Sequence, residues 1–489
     1  KEILEKFKDI WAIGYAQNLM SWDTETYMPK GAASERGLAM GRLVVLVQKL
    51  VLSPEFKELV QKGQKEENLN DYERGVIRVL SRAIEKLEKL PPEFLEEFSK
   101  VTTEAKVVWR EAKQKSDFNV FKPYLKKIVD LSRKKADYLG YEEHPYDALL
   151  DFYEEGLLTR EVDSLFSEIK PNLANTLRKI LSSDDYISSH PLENEEYDIE
   201  KMKQLNLEIL RILNYDFNRG RLDVSAHPFT SGIGLFDVRI TTRYSGKDFQ
   251  SSLFALIHEF GHALYDMQID EKLMATPLAE GASLGVHESQ SRFWENMIGR
   301  NYAFAETFYD LFKKYLPFLE KYTIEDVYKY FNIVKPSLIR VDADEVTYNL
   351  HIVLRFEIEK GLIEEKINVE ELPQIWNDYM EKYLGVKPKN DAEGVLQDIH
   401  WSMGAIGYFP TYSIGTLLSA QIANKIEREL GDIPTLIREK KFKEIANWLK
   451  EKIHKWGSTY EPKELIKKAL GESLNPKYYM GYLNKKYLK

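Results

Sequence analysis

The chain has 489 residues, of which 43% are hydrophobic and 30% charged, and these proportions exclude a disordered or membrane-embedded protein. Its formal net charge of −9, without a dense Lys/Arg block, argues against a nucleic-acid-binding surface. There is no cysteine, which excludes a disulfide framework and leaves His, Asp and Glu as the metal ligands.

The N-terminal residues carry no targeting signal that we recognise. They lack the apolar core of a signal peptide. The longest apolar run, residues 43–52, is interrupted by Gln48 and Lys49 and is too short to span a bilayer. We therefore expect a cytoplasmic protein without a membrane partner.

Most of the chain has the apolar periodicity of amphipathic helices. Pro91 and Pro92 are expected to end one helix and start the next. The polar, proline-broken residues 182–196 predict a surface loop. The predicted fold class is mainly α, with one large helical domain over residues 1–489, either undivided or in two lobes. Apolar residues recur every three or four positions in residues 53–63, 72–90, 122–138, 160–182, 199–214, 319–332 and 367–384.

Residues 223–244 break the helical pattern with glycine, proline and then alternation. We expect a small antiparallel β-sheet here, close to the helix that follows. Its exposed edge either hydrogen-bonds a peptide by strand addition or belongs to a purely structural sheet, and the pattern leaves both open. Val238, Ile240, Thr242 and Tyr244 are predicted on one face of the strand, with Asp237, Arg239, Thr241 and Arg243 on the other.

The most informative segment is His258-Glu259-Phe260-Gly261-His262. On a helix, residues four apart face the same way, so both imidazoles can bind one Zn²⁺ at ~2.0–2.1 Å. The carboxylate of Glu259 can then reach a water at the metal. These residues predict metal-assisted peptide hydrolysis.

The flanks of this segment favour a metal site over two solvated histidines. Residues 253–257 and 263–264 are apolar nearly all round, so His258 and His262 are expected inside the protein. Burying them without partners would be costly. Gly261 costs about 1 kcal/mol relative to alanine inside a helix, which indicates close approach by another element.

A catalytic zinc ion needs a third protein ligand and one open position. Glu288 lies 26 residues after His262 (288 − 262), in residues 285–294, which resemble the start of a second helix. His287 is the competing ligand. Adjacent helical residues point about 100° apart, so only one of the two should face the metal, and we favour Glu288.

A second group of polar and aromatic residues lies in residues 394–401 and 407–412. His400 and Tyr412 are suitable donors to the oxyanion of a tetrahedral intermediate. The same stretch also fits a helix end followed by an aromatic-rich turn. Arg340 fits either a structural ion pair or a clamp for a ligand.

Taken together, these strings resemble the M32 family of thermostable metallocarboxypeptidases. The motifs keep the family's order and extend over residues 21 to 412. They are Ser21-Trp22-Asp23 to Met28-Pro29, His227-Pro228-Phe229, Asp237-Val238-Arg239-Ile240-Thr241, the HEFGH segment, His287-Glu288-Ser289-Gln290, Ile339-Arg340 to Ala343-Asp344, and Gly394 to Trp401.

The resemblance implies a helical fold with a deep groove, and a homodimer that releases single C-terminal residues from peptides with broad specificity. It implies one divalent metal per chain, Zn²⁺ or Co²⁺, on His258, His262 and Glu288, with Glu259 as general base. It also implies that Tyr412, with His400, donates to the oxyanion. The substrate-binding residues that it implies are Arg340 (for the α-carboxylate), Tyr408, His227, Asp237 and Arg239.

One position departs from many zinc peptidases whose third ligand is a glutamate. They carry an aspartate four residues later that orients a ligand histidine, but this chain has Arg292. A zinc-bound histidine normally needs such an acceptor. We expect Asp344 or Glu345 to supply it.

The predicted function is a metallocarboxypeptidase acting on peptides with a free C-terminus. Two alternatives remain open from the sequence. One is a metallo-oligopeptidase or dipeptidyl carboxypeptidase with the same chemistry, and the other is a helical scaffold whose metal site is not catalytic.

Overall fold

The computed structural model describes residues 1–488, and most of them are helical, so the predicted mainly α fold is confirmed. The chain divides into two compact units, each built from three separate stretches. The first unit contains residues 1–87, 189–332 and 418–474. The second contains residues 88–188, 333–417 and 475–489. A single catalytic domain over residues 1–489, with or without two lobes around a groove, stays a prediction.

The first α-helix begins at Glu2 and the last ends at Tyr487. They are α1 (Glu2–Thr26), α2 (Ala33–Val51), α3 (Pro54–Gln64), α4 (Asp71–Lys89), α5 (Pro92–Lys115), α6 (Phe118–Leu139), α7 (Pro145–Leu150), α8 (Thr159–Leu181), α9 (Ile199–Ile212), α10 (Phe249–Gln268), α11 (Leu284–Arg292), α12 (Tyr302–Tyr315), α13 (Ile324–Phe331), α14 (Tyr348–Ile363), α15 (Leu372–Leu384), α16 (Pro410–Leu430), α17 (Ile433–Arg438), α18 (Phe442–Lys452), α19 (Pro462–Leu470) and α20 (Lys477–Tyr487).

The predicted helices occur where the apolar periodicity places them, with two differences at their starts. The segments 319–332 and 367–384 begin as 3₁₀ turns, Pro317–Lys321 and Val369–Glu371, before α13 and α15. In the first case the hydroxyl of Thr323 accepts a hydrogen bond from the backbone N–H of Asp326 and starts a new helix. A local cap therefore outweighs the continuous periodicity.

The β-sheet belongs to the first unit and has three strands in the order β1-β3-β2. The strands are β1 (Leu222–Val224), β2 (Thr230–Gly234) and β3 (Asp237–Thr242). β2 and β3 are antiparallel, as predicted, but β1 lies parallel to β3. The prediction of a purely antiparallel sheet was wrong. β1 is too short to show alternation in the sequence, and its pairing with β3 is non-local.

The alternation predicted for β3 is confirmed at its centre, where Val238 and Ile240 have no exposed surface. The strand ends at Thr242, two residues before the predicted end. Within residues 1–488, β3 is bonded on both sides, so a peptide cannot add to it. Strand addition would have to use the outer edge of β1 or β2.

The core of the first unit surrounds α10. Leu253, Leu256, Ile257 and Phe260 have no exposed surface, so this helix presents apolar side chains to several neighbours. Among the residues that the structure describes, no single helix has both the length and the apolarity to cross a membrane. One bent pair, Lys30–Val51 with Pro54–Gln64, meets those criteria by length and composition.

Candidate metal centre

Helix α10 carries both histidines of the HEFGH segment on one face. The ring centroids of His258 and His262 are 5.1 Å apart, as expected for residues one turn apart on a helix. Both side chains are mostly buried, with 18% and 19% exposed. Two imidazoles therefore project side by side from a helix whose other faces are in the core.

Gly261 lets a second helix lie against α10 at this point. A Cβ on Gly261 would lie 2.5 Å from the Cα of Ser291 and 2.6 Å from the carbonyl oxygen of Gln290. Both atoms are backbone atoms of α11, so no side chain larger than hydrogen fits there. The close approach predicted from this glycine is confirmed, and it brings Glu288 beside the histidines.

The three candidate metal ligands converge. The Nε2 atoms of His258 and His262 lie 3.6 and 3.5 Å from Oε2 of Glu288. All three ligand atoms lie within 4.8 Å of one another. Around a tetrahedral zinc ion with ligand distances of about 2.05 Å, neighbouring ligand atoms are about 3.3 Å apart. The residues present therefore fit one divalent ion, and we call His258, His262 and Glu288 the ligand triad.

Glu288 is held in its ionised form. Nε of Arg292 donates to its Oε1 at 2.7 Å, and the hydroxyl of Ser291 contacts Oε2 at 3.3 Å. Burial opposes ionisation, but Arg292 and the two histidines outweigh it and hold the pKa of this carboxyl well below its usual range. A carboxylate must be deprotonated to bind a metal, so this one is prepared for it. Arg292, the unexpected residue of the sequence, thus contacts the ligand itself.

Glu295 supports the first histidine. Its Oε2 lies 2.9 Å from Nδ1 of His258, so a hydrogen on Nδ1 leaves the Nε2 lone pair directed toward the triad. Burial raises the pKa of Glu295, but Arg292, His258 and Arg300 reverse that effect and lower it to about 2. Glu295 was not among the predicted site residues. It follows Glu288 by seven positions, but the π-helical turn Phe293–Gly299 changes the helical phase between the two.

His287 supports the second histidine instead of joining the triad. Its Nδ1 lies 2.7 Å from Nδ1 of His262, and its Nε2 lies 2.9 Å from Oδ1 of Asp266. If His262 directs its Nε2 lone pair into the triad, its Nδ1–H donates to His287, which in turn donates to Asp266. This relay of two imidazoles and a carboxylate was not foreseen.

The prediction that Asp344 or Glu345 accepts a hydrogen bond from a ligand histidine was wrong. Asp344 accepts the backbone N–H of Lys335 at 3.0 Å and that of Thr347, which directly precedes α14, at 3.1 Å. Glu345 accepts hydrogen bonds from Tyr482 and Tyr487 of α20. Both carboxylates are thus engaged within the second unit. The acceptors that the structure shows for the two histidines are Glu295 for His258 and His287 for His262.

Glu259 lies beside the triad with its carboxylate oriented by a strand residue. The hydroxyl of Thr230 on β2 contacts Oε2 of Glu259 at 2.7 Å and its backbone oxygen at 2.9 Å. Glu259 is 8% exposed, so water reaches it only in part. The sheet therefore contributes to the site through β2, at a threonine that the sequence analysis did not single out.

The predicted substrate residues of the sheet region separate into a pair and a single residue. Nε and Nη2 of Arg239 bond the two carboxylate oxygens of Asp237 at 2.7 and 2.8 Å. The Arg239 guanidinium also lies over the ring of Trp22, 4.3 Å from its centroid. His227 is exposed in the loop before β2.

His400, Tyr408 and Tyr412 form an aromatic group in the second unit. Nε2 of His400 lies 3.3 Å from the hydroxyl oxygen of Tyr412. The ring of Tyr408 lies 5.2 Å from that of His400 and 5.3 Å from that of Tyr412. Burial, together with Arg340 and Arg355, lowers the pKa of His400 to about 4, so the imidazole is neutral at neutral pH.

Arg340 forms the structural ion pair that was one of its two predicted roles. Its Nε and Nη2 donate to Oδ1 of Asp398 at 3.0 and 2.9 Å, and its Nη1 donates to the hydroxyl of Tyr348 at 3.0 Å. These bonds use three of the five guanidinium N–H groups. The guanidinium lies 5.1 Å from the ring centroid of Tyr412.

Comparison with known proteins decides the family. The family model described as "Carboxypeptidase Taq (M32) metallopeptidase" matches residues 2–487. The chain belongs to the M32 family of metallocarboxypeptidases. As an M32 protein it is an enzyme that depends on a divalent metal, and the predicted family and metallocarboxypeptidase activity are confirmed.

Individual M32 relatives match along their whole length. The chain is 53% identical to thermostable carboxypeptidase 1 of Pyrococcus furiosus, over 100% of this chain and 98% of the relative. It is 39% identical to carboxypeptidase 1 of Bacillus subtilis, over 100% and 97%. A solved structure of the Pyrococcus furiosus carboxypeptidase superposes with a TM-score of 0.98, at 52% identity and the same coverage as the sequence match.

Proposed function

We propose that this metallocarboxypeptidase releases single residues from the free C-terminus of peptides, with broad side-chain tolerance, using one Zn²⁺ or Co²⁺ held by His258, His262 and Glu288. The observation that carries the proposal is the convergence of the three ligand atoms beside a carboxylate, Glu259. Two imidazole nitrogens and one carboxylate oxygen are a known ligand set of hydrolytic zinc sites.

A divalent ion bound there would polarise the scissile carbonyl and lower the pKa of a water molecule. Glu259 accepts the proton of that water and later returns it to the leaving amine. The hydroxyl of Thr230 holds the Glu259 carboxylate in place for both transfers. Glu295 and His287 keep the two histidines oriented, so that little rearrangement is needed during turnover.

The other residues predicted from the sequence take the remaining roles in this proposal. Tyr412, with His400 next to it, donates to the oxyanion of the tetrahedral intermediate. Arg340 uses the guanidinium N–H groups that Asp398 and Tyr348 leave over to bind the substrate α-carboxylate. Tyr408, His227, Asp237 and Arg239 are proposed to contact the rest of the peptide.

The first prediction tests the general base. Glu259→Gln preserves the shape of the side chain but removes its basicity, so we expect kcat to fall about 100-fold or more. The metal content should stay at that of the unaltered protein, because Glu259 is not a ligand. The measurements are kcat for release of a C-terminal residue and metal stoichiometry by elemental analysis.

A matched control for this substitution is Glu271→Gln, at an exposed glutamate that follows α10. It should leave both measurements unchanged. If Glu259→Gln retains substantial turnover, Glu259 is not the general base. If no metal is found in the active, unaltered protein, the triad has another task.

Digestion of one peptide in two forms separates this proposal from its alternatives. One form has a free C-terminus and the other an amidated C-terminus. Loss of single residues from the free form alone is expected. Internal cuts would favour an oligopeptidase, and loss of dipeptides would favour a dipeptidyl carboxypeptidase. Product masses report all three.

A homodimer, a cytoplasmic location and the absence of nucleic-acid and membrane partners stay predictions from the sequence.

A further inference from the structure

Glu359 is a buried carboxylate of the second unit that the proposed reaction does not use. It lies on α14 and has no exposed surface. Its Oε1 accepts the indole N–H of Trp401 at 2.8 Å, and its Oε2 accepts the hydroxyl of Tyr146 at 2.6 Å and the backbone N–H of Gly407 at 2.9 Å. One carboxylate therefore joins α14 to α7 and to two points of the loop before α16.

Burying an ionised carboxylate costs free energy. Burial raises the pKa of Glu359 to about 7, although Tyr146, Gly407 and Trp401 each favour its ionised form. Apolar side chains of similar volume often serve stability equally well in such a position. The three directed hydrogen bonds therefore suggest a task in geometry as well as in stability.

The positions of the donors indicate what that task is. Trp401 directly follows His400, and Gly407 directly precedes Tyr408. Both ends of residues 400–408 are thus tied to the same carboxylate.

The loop between these two ties has little freedom to move. Gly407 has a φ of +97°, and a Cβ there would lie 2.8 Å from the carbonyl carbon of Leu149 in α7. The loop is therefore pressed against the backbone of α7 at the residue that Glu359 holds.

We propose that Glu359 is a positioning residue for the M32 reaction, which holds Trp401 and Gly407 so that His400 and Tyr408 keep their places beside Tyr412. The inference rests on the proposed function, in which His400 and Tyr412 donate to the oxyanion. Those donors act chiefly in the transition state, so loss of Glu359 should lower kcat while KM stays nearly constant.

The test begins with Glu359→Gln. The amide has one acceptor oxygen, and the backbone N–H of Gly407 cannot reverse its role, so the oxygen should remain on that side. The NH₂ group then faces the indole N–H of Trp401, and two donors oppose each other. We expect kcat to fall about 10- to 100-fold, in the range that a small misplacement of reacting groups produces.

Trp401→Phe removes the opposing donor and supplies a rescue. In the double variant the NH₂ of the introduced glutamine no longer meets an N–H, so kcat should recover at least part of the loss caused by Glu359→Gln alone. A purely structural role predicts additive losses instead. The matched control is Glu357→Gln on the same helix, at a carboxylate bonded to Lys170 and Tyr383 outside the loop. This control should leave kcat unchanged.

The measurements are kcat, KM, thermal midpoint and metal content of each variant. Unchanged kcat in Glu359→Gln, an equal fall of kcat in the Glu357→Gln control, or additive losses in the double variant would each overturn the proposal. If Glu359→Gln does not fold, Tyr146→Phe removes only one donor. It should lower kcat severalfold, and an unchanged kcat would overturn the proposal equally.

Tyr412→Phe and His400→Gln, measured in parallel, separate this inference from the function on which it rests. If both lower kcat and Glu359→Gln does not, the positioning role alone is lost. If neither lowers kcat, the assignment of the oxyanion donors fails, and the positioning role fails with it.

Discussion

At the ligand triad, each imidazole is fixed by the nitrogen that faces away from Glu288. Glu295 holds His258, and His287 with Asp266 holds His262. Such bonds determine which nitrogen carries the hydrogen and how the ring is turned. The metal affinity of the site therefore depends on residues that do not bind the metal.

The second prediction concerns Glu295→Gln. An amide is a weaker acceptor than a carboxylate, and the substitution also removes a negative charge behind His258. We expect metal affinity to fall about 10- to 100-fold, with a smaller change in kcat once metal is saturating. The measurement is the dissociation constant by competition with a chelator. An affinity equal to that of Glu271→Gln would show that His258 needs no support from Glu295.

The third prediction follows from the low pKa of His400. As the pH falls from about 7 to about 5, the unfolded chain takes up a proton at His400, whose ordinary pKa is 6.5, whereas the native chain, with a pKa of about 4, does not. Stability is therefore lost over this range, by on the order of 2 kcal/mol from this group. The free energy of unfolding of the His400→Gln variant, measured in urea at both pH values, should fall by that much less. An identical loss in both proteins would place His400 in a solvated setting.

At the scale of elements, the contact of α10 with α11 determines whether the triad can form. Gly261 is the point where the backbone of α11 reaches α10, and a Cβ there would overlap the Cα of Ser291. Backbone atoms cannot move aside as a flexible side chain can. The helices would have to separate, and Glu288 would be carried away from the histidines.

The fourth prediction is that Gly261→Ala destabilises the protein by several kcal/mol and lowers its metal affinity. Helix propensity alone would favour alanine by about 1 kcal/mol, so the clash decides the sign. The control is Gly14→Ala within α1, where nothing lies within 4 Å of the added Cβ. That variant should keep or gain stability. Thermal midpoint and metal content report both, and an unharmed Gly261→Ala would contradict the close packing.

The sequence predicts those parts of these elements that depend on local spacing. The four-residue separation of His258 and His262, the apolar flanks and the helix start before Glu288 are all visible in the chain. The residues that orient the histidines could not be predicted in this way. Glu295 lies in a π-helical turn, Phe293–Gly299, whose phase a regular 3.6-residue period does not describe.

Pairings between distant parts of the chain were the other features that the sequence did not reveal. The parallel pairing of β1 with β3 depends on a three-residue strand. Likewise, the contact of Thr230 with Glu259 joins residues 29 positions apart, and no local period encodes it. Periodicity therefore describes the elements well, whereas their partners follow from tertiary packing.

At the scale of the whole molecule, the metal is expected to stabilise the fold. Without it, the triad keeps a buried carboxylate and two buried imidazoles close together. A ligand that binds only the native state adds about 4 kcal/mol when its concentration is 1,000 times its dissociation constant. The bound ion therefore stabilises the packing of α10 against α11, and with it the first unit.

The fifth prediction is that a chelator lowers the thermal midpoint and that stoichiometric metal restores it. His262→Ala, which removes one ligand, should show neither effect and serves as the control. If the chelator leaves the midpoint of the unaltered protein unchanged while removing all metal, the ion contributes nothing to folding stability.

Each unit is assembled from three stretches that alternate along the chain. During synthesis on the ribosome, the first unit must wait for residues 418–474, long after α10 and α11 have emerged. His454, in that late stretch, bonds Gln268 and Gln290, which end α10 and lie within α11. The nascent helices of the metal site would thus remain incompletely buried until translation is almost finished, and a chaperone that shields them over that interval should raise the yield of active enzyme.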